Sequence, residues 1–214
     1  MSTRSDDILR GIHKVVTHDL PNQIIAVQGL LQLFDMEQAE GLPPDGREFL
    51  KRIQQAVGRI GEQARFLKEM DRIARHIPQV ERVTLAEVMG ELQAILRQQR
   101  PRSVLAFESE WRVAQIPMDR KAFVQGMREL FSWLLDHVEN PVHIRTASDL
   151  VGDGVEFSAV LSRLTRPGVA ALASLPTRPE FVLAREWLAV AGAALRWDVP
   201  IDLVLRIVVQ TPRR

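Results

Sequence analysis

A histidine, an aspartate and an asparagine lie close together near the start of the chain, as His18, Asp19 and Asn22. A carboxylate beside an imidazole favours one tautomer and can act as a base, which leaves the other ring nitrogen nucleophilic. Asn22 lies about one helical turn beyond His18 on the same face, where its amide can orient a water or a phosphoryl oxygen. The three residues therefore predict a nucleophilic histidine, with an ordinary surface histidine as the alternative.

The helix expected to carry His18 begins at Ser5, a suitable N-cap, and its apolar residues recur at spacings of three and four. At about 100° per residue, His18 falls on the side opposite to Val16 and Leu20 of this seam, so we expect an exposed imidazole. Pro21 removes an amide donor and crowds the carbonyl of Thr17, which predicts a distortion of the helix beside the histidine. The seam comprises Ile8, Ile12, Val15, Val16, Leu20, Ile24, Val27, Leu31 and Phe34.

A second helix follows a break at residues 41–44, and Asp45 with Glu48 predicts the capping pair that opens it. Its seam comprises Phe49, Ile53, Val57, Ile60, Ala64, Leu67, Met70 or Asp71, and Ala74. Two long helices joined by a short turn form an antiparallel hairpin, which leaves much of each seam in water. We therefore expect a homodimer through residues 5–75 that completes a four-helix bundle. Coverage by the C-terminal half of the same chain is the alternative.

The pattern changes at a linker around residues 76–78, which predicts two domains, 1–77 and 78–214. Thr84 and Glu87 form a capping box for a helix through about Gln99. The predicted order is then a strand at 104–110, a turn at Pro117, a helix capped by Asp119 to about residue 138, strands at 142–146 and 155–161, a helix near 181–190, and strands at 194–198 and 203–210. The fold class is therefore α + α/β, a helical hairpin followed by an α/β sandwich with a mixed sheet.

The run from Val15 to Leu33 resembles the phosphoacceptor box of bacterial two-component sensor histidine kinases. In that family a histidine, an acidic residue, an aliphatic residue and a later asparagine or threonine open the dimerization and histidine phosphotransfer domain. The family's usual proline lies five residues after the histidine, whereas Pro21 lies three after His18 and Gln23 fills the usual place. The resemblance implies that His18 exchanges a phosphoryl group with the aspartate of a response-regulator receiver domain, which brings its own Mg²⁺.

The same family binds ATP and Mg²⁺ on its second domain, and the order of elements in residues 84–210 fits that domain. The residues do not fit. Trp133 and His137 stand where the family has two asparagines, although Glu129 remains. No adenine-contacting aspartate follows the strand at 155–161, and Pro176 and Pro179 stand where glycines would let amides approach phosphates. The resemblance therefore implies a degenerate site, with ATP bound poorly or not at all.

Composition excludes several other classes of protein. The chain has no cysteine and a net charge of +1, which exclude disulfides and thiolate metal sites and give no electrostatic footprint for nucleic acid. The absence of cysteine also suits the cytoplasm. No stretch of about 18 apolar residues predicts a membrane span, and charges interrupt the first residues, so we expect no secretory signal. No metal-ligand spacing or hydrolase motif is present, and the four tryptophans are expected to pack in cores or between domains.

These observations favour a dimeric, cytoplasmic histidine phosphotransfer protein with a pseudokinase second domain. One alternative is an active ATP-dependent sensor kinase fragment with a divergent nucleotide site, for which Asp149, Gly152, Asp153 and Gly154 are the candidate residues. Another is a non-catalytic scaffold that binds a receiver without being phosphorylated. Nucleotide titration distinguishes the first two interpretations, and mass spectrometry for phosphohistidine distinguishes both from the third.

Overall fold

The computed structural model describes residues 13–38, 41–101, 103–113, 115–151, 154–161, 165, 177–198 and 205–210. The chain divides into two compact units, Met1–Arg75 and His76–Arg214. His76 and Ile77, at the predicted linker, thus go with the second unit. The first residues of the predicted seam, Ile8 and Ile12, lie outside the described residues.

The first unit is a helical hairpin. A π-helical segment, Val15–Asp19, which we call the π turn, leads into α1 (Leu20–Gln38), and α1 packs against α2 (Pro44–Ala74). The two helices approach closely at Gly61, where an added Cβ would lie 3.4 Å from Cγ2 of Ile24. The helical hairpin expected from the seams is therefore confirmed.

The start of α2 differs from the prediction. The N-cap residue is Pro43, which makes no side-chain capping bond, and Pro44 takes the first helical position. Proline suits this position because its missing N–H would have no partner in the first turn, and its fixed φ is already helical. The predicted capping pair of Asp45 and Glu48 is therefore wrong, and both residues lie inside the helix.

Much of the apolar surface of the hairpin is exposed. The buried residues are Ile24, Leu50, Ala64 and Ile73, whereas the exposed large apolar residues are Val15, Ile25, Val27, Leu30, Leu33, Phe34, Met36, Phe49, Ile53, Ile60 and Leu67. On α2 the exposed members recur at intervals of four and seven, so they form a stripe along one side of the helix. We call Phe49, Ile53, Ile60 and Leu67 the exposed stripe.

The second unit is an α/β sandwich, as predicted. Its elements are β1 (Val80–Thr84), α3 (Leu85–Gln99), β2 (Leu105–Trp111), β3 (Gln115–Asp119), α4 (Arg120–Leu135), β4 (Val142–Val151), β5 (Gly154–Leu161), α5 (Pro179–Val190), β6 (Ala194–Asp198) and β7 (Leu205–Gln210). Among the described residues, β1 pairs with β3, and five strands form a mixed sheet in the order β2-β4-β5-β7-β6. In that sheet β2 and β4 are parallel, and the other neighbours are antiparallel.

One face of the sheet is covered and the other is open to solvent. Along β4 the buried side chains Val142, Ile144, Thr146 and Ser148 alternate with less buried ones. Helix α4 lies in the centre of the unit and packs against α5, where an added Cβ on Gly126 would lie only 2.8 Å from Leu188. Trp133 and Trp187 are buried, and Trp111 stacks on Phe157 with ring centroids 6.0 Å apart.

Three details of this unit differ from the prediction. Pro117 does not form a turn; it lies inside β3, opposite Arg82 of the unpredicted strand β1. Proline is tolerated there because an isolated pair of strands has free edges that need no ladder donor. Thr84 is the N-cap residue of α3 but makes no side-chain capping bond. Helix α4 ends at Leu135, before the predicted end near residue 138, whereas its predicted cap is confirmed because Asp119 accepts from the amide of Ala122.

Candidate functional site

His18 lies in the π turn, immediately before α1. The N–H of Leu20 donates to the carbonyl of Val15, five residues back, so the turn is wider than that of an α-helix. Pro21 explains the widening, because it has no N–H for the carbonyl of Thr17 and its ring crowds that oxygen. The distortion expected beside the histidine therefore takes the form of a π turn.

The three residues singled out in the sequence lie together. His18 points into solvent, with 71% of its side chain exposed, and its Nδ1 lies 3.0 Å from Oδ1 of Asp19. The side-chain nitrogen of Asn22 lies 3.5 Å from both ring nitrogens of His18. In the tautomer protonated at Nδ1, the imidazole donates to Asp19 and Nε2 keeps its lone pair. This arrangement can present Nε2 as a nucleophile.

An open groove runs beside this trio, between α1 and α2. It has a volume of about 530 Å³. Its floor consists of apolar and small residues and its edge carries charged ones, and the lining comprises Pro21, Ile24, Ile25, Gln28, Gly58, Gly61, Glu62, Ala64, Arg65 and Lys68. Sequence reasoning missed this groove, because it depends on which faces of the two helices meet. The spacing of Gly58 and Gly61 is the signal that would have indicated it.

The second set of predicted site residues lies on and after α4. The ring of Trp133 stacks on that of His137 at 4.1 Å, and Nδ1 of His137 lies 2.9 Å from the carbonyl oxygen of Trp133. The amide of Thr165 donates to the carbonyl of His137 over 2.8 Å. An aromatic pair thus occupies both positions at which the resemblance implies asparagines.

Glu129 is 2% exposed and accepts hydrogen bonds at Oε1 from Gln125, over 3.1 Å, and from Arg128, over 2.9 Å. These bonds offset the cost of burying its charge. Its carboxylate is therefore satisfied within the chain. Of the nucleotide-site alternatives, Asp149 pairs with Arg112 at 3.0 Å. Gly154 begins β5. Gly152 and Asp153, like Pro176, lie outside the described residues.

Two further properties, metal sites and membrane-spanning helices, concern the part of the chain that the structure describes. There, no three histidine, aspartate or glutamate side chains lie close enough together to hold a metal ion. None of the described helices combines the length and the apolar character needed to cross a membrane.

Comparison with solved structures identifies the fold. No protein-family model and no curated protein sequence matches the chain. The Acinetobacter baumannii histidine kinase AdeS aligns with a TM-score of 0.61 at 10% identity, over 92% of this chain and 98% of that one. Full-length ShkA, solved with AMPPNP, aligns with a TM-score of 0.61 at 10% identity, over 94% of this chain and 45% of ShkA.

Histidine kinase ThkA, solved in complex with the response regulator TrrA, aligns with a TM-score of 0.59 at 15% identity. That alignment covers 97% of this chain and 63% of the other, so the chain spans less than two thirds of both ThkA and ShkA. At such identities the likeness concerns the fold. A helical hairpin followed by this α/β sandwich is the fold of the sensor histidine kinases, and the present chain has it.

Proposed function

We propose that this protein is a histidine phosphotransfer protein of two-component signalling, in which His18 exchanges a phosphoryl group with the aspartate of a response-regulator receiver. The observation that carries the proposal is the exposed His18 with Nδ1 against Asp19 and the Asn22 amide beside both ring nitrogens. The likeness to ThkA, which was solved with a response regulator, supports a receiver as the partner.

The chemistry follows from the tautomer of His18. Nε2 attacks the phosphorus of the receiver's aspartyl phosphate, an N–P bond forms, and the P–O bond to the aspartate breaks, so the carboxylate leaves. Positive charge develops on the ring, and Asp19 stabilises it through the Nδ1 proton, which it can also accept. The reverse reaction returns the phosphoryl group to the receiver. The receiver supplies the Mg²⁺ that balances charge on the phosphate.

The groove between α1 and α2 is the surface that we expect the receiver to contact. Ile24 and Ile25 line it with apolar area, and at its edge the positive charges of Arg65 and Lys68 outnumber the single negative charge of Glu62. Receiver active sites are acidic because they bind Mg²⁺ through carboxylates, so the opposite charge on this edge favours encounter. Pro21 lines the groove and lies three residues after His18, so a receiver docked in the groove would lie next to His18.

The test uses the full chain and a panel of receivers from the source organism. Each receiver is phosphorylated, mixed with the protein and assayed for acid-labile phosphate on the protein. We expect transfer to the wild type and none to His18→Gln. His143→Gln, which changes an exposed histidine on β4, serves as the matched control and should transfer normally. If one receiver binds the wild type and His18→Gln equally well and labels neither, the scaffold interpretation replaces this proposal.

We also propose that the second unit binds ATP weakly or not at all. The stacked Trp133 and His137, tied to Thr165, occupy the positions from which amide side chains would act, and aromatic rings offer no oxygen ligand to Mg²⁺. Calorimetry with Mg²⁺-ATP on the full chain tests this. We expect a dissociation constant in the millimolar range or weaker, which is typical of non-specific contacts. Low-micromolar binding with autophosphorylation of His18 would support the sensor-kinase alternative.

A further inference from the structure

A close contact between a histidine and a carboxylate joins the segment before the π turn to α2. Nδ1 of His13 lies 2.8 Å from Oδ2 of Asp71, and the other oxygen of Asp71 accepts from Nε of Arg75 over 2.9 Å. The side chains of His13 and Asp71 are 35% and 25% exposed, so both are partly shielded from water. We call this pair the cross-helix clamp. It joins residues far apart in sequence, whereas the Asp71–Arg75 pair lies within one helix.

The carboxylate in the clamp is charged at neutral pH. Burial raises the pKa of Asp71, but the hydrogen bonds and charges of Arg75 and His13 outweigh burial and bring the pKa below its usual value. A partly buried pair is screened less by solvent and salt than an exposed one, so its attraction is stronger.

The clamp leads directly to the π turn. The hydroxyl of Thr17 donates to the carbonyl of His13 over 2.8 Å, and the π turn packs against α2. A π turn is rare because its hydrogen bonds are less favourable than those of an α-helix. Pro21 removes a further backbone donor from this stretch. Side-chain contacts at its N-terminal end must therefore help to hold the turn in place.

Resting on the proposed function, we propose that Asp71 and His13 are positioning residues for phosphotransfer at His18. They fix the N-terminal end of the π turn and so the direction in which Nε2 faces an incoming phosphoryl group. In-line attack depends steeply on this direction, since small displacements of a reacting group cost about tenfold to a hundredfold in rate. The groove residues that contact the receiver are not part of the clamp.

The first experiment measures transfer from a saturating phosphorylated receiver to Asp71→Asn and His13→Gln. We expect the rate constant of transfer to fall about tenfold or more in each, while the receiver concentration at half-saturation stays unchanged. Unlike His13→Gln, the variant His13→Arg should keep most of the wild-type rate, because its guanidinium can pair with Asp71. It should lose that rate when it is combined with Asp71→Asn. Glu48→Gln is the matched control, because Glu48 pairs with Arg52 one turn along α2 and has no described cross-helix partner. It should transfer normally.

A second measurement on the same full-length variants needs no receiver. Amide hydrogen exchange at residues 15–20 should speed up in Asp71→Asn and remain at the wild-type rate in Glu48→Gln. Unchanged exchange in Asp71→Asn, or a wild-type transfer rate, would overturn the clamp. So would a loss confined to receiver affinity. If no receiver labels the wild type, the proposed function is overturned instead. Amide hydrogen exchange alone then tests the clamp.

Discussion

The behaviour of His18 depends on which of its ring nitrogens carries the proton. Asp19 faces Nδ1, which leaves Nε2 for attack, and both contacts lie within one turn of the chain. This local geometry followed from residue spacing, because neighbours on a helix face are fixed by its periodicity. The clamp did not, since nothing in the sequence near His13 indicates that Asp71 will lie opposite. Contacts between residues that are distant in the sequence cannot be predicted from local sequence patterns.

Asp19→Asn should slow transfer to His18 by roughly a hundredfold or more, because an amide neither accepts the ring proton nor stabilises the developing charge. Rapid mixing of the variant with a phosphorylated receiver, followed by quenching at set times, gives the rate constant. Asp45→Asn, a change in the exposed first turn of α2, is the control and should have no effect. Equal rates for the wild type and Asp19→Asn would remove the carboxylate from the mechanism.

Asn22→Ala should impair hydrolysis of the phosphoryl group more than its transfer. The Asn22 amide lies 3.5 Å from Nε2, where it can orient a water, and positioning a water matters only when water is the nucleophile. The decay of phosphohistidine with the receiver absent, followed beside the transfer rate, separates the two steps. A variant in which transfer suffers more than hydrolysis would show that the amide binds the phosphoryl group instead.

At the scale of elements, local signals predicted the helices but not every cap, since the capping bonds expected at Asp45 and Thr84 are not made. Long-range strand pairing was not predicted. The cap at Asp119 and the helix after it follow from a few adjacent residues, whereas β1 and β3 pair although the whole of α3 and β2 lies between them in the sequence. Pro117 is a turn signal in isolation. Its place in a strand is decided by that distant partner, which is why the prediction of a turn was wrong.

Gly126→Ala should destabilise the second unit. Its Cβ would lie 2.8 Å from Cγ of Leu188 and 3.0 Å from the carbonyl oxygen of Ala184, so α4 and α5 would have to move apart. Overpacking of this kind costs about 1–3 kcal/mol. Gly90→Ala is the matched control, because nothing lies within 4 Å of its added Cβ, and it should instead stabilise α3 by about 0.5–1 kcal/mol. Urea unfolding followed by circular dichroism measures both changes.

Asp119 should make the stability of the second unit depend on pH. Burial raises its pKa, but hydrogen bonds from the amides of Ala122 and Gln79 and from His76 outweigh burial, so the pKa lies below the usual value of 3.8. A carboxyl group with a lowered pKa stabilises the fold above its unfolded pKa and loses that effect as pH falls through the folded pKa.

Asp119→Asn should therefore lower the free energy of unfolding by about 1–2 kcal/mol at neutral pH, and the difference from the wild type should shrink below the usual pKa of an aspartate. Urea titrations at a series of pH values measure it. Asp136→Asn, at the other end of α4 and exposed, provides the comparison. A difference that stayed constant down to low pH would mean that the negative charge of Asp119 is not what stabilises its contacts with His76 and Gln79 and the helix cap.

At the scale of the whole molecule, the hairpin leaves a large apolar surface exposed. The exposed stripe on α2 has the spacing of a coiled-coil seam, and residues of α1 such as Leu30 and Leu33 are exposed as well. We propose that a second copy covers these residues in a two-fold four-helix bundle. The seams suggested this dimer from sequence alone. A periodic apolar face that is larger than the area buried within the hairpin needs a second surface to cover it.

Ile53→Asp should convert the proposed dimer into a monomer without unfolding the hairpin, because Ile53 is 49% exposed in the single chain and a charge in a desolvated seam is unfavourable. Light scattering at micromolar concentration gives the mass. Leu31→Asp should also weaken the dimer, but Leu31 is half-buried, so its loss would disturb the hairpin as well. Gln55→Asp, on another side of α2, should leave the mass unchanged. A wild-type mass of 24.3 kDa, that of one chain, would contradict the dimer.

The positions of the aromatic residues allow the two units to be followed by different spectroscopic signals. The chain has four tryptophans and no tyrosine, and Trp111, Trp133, Trp187 and Trp197 all belong to the second unit. Indole emission therefore reports on the sandwich, while the hairpin contributes far-ultraviolet ellipticity without emission. Coincident transitions of the two signals are a test of two-state unfolding. A denaturant titration recorded in both signals will thus show whether the hairpin melts together with the sandwich or independently of it.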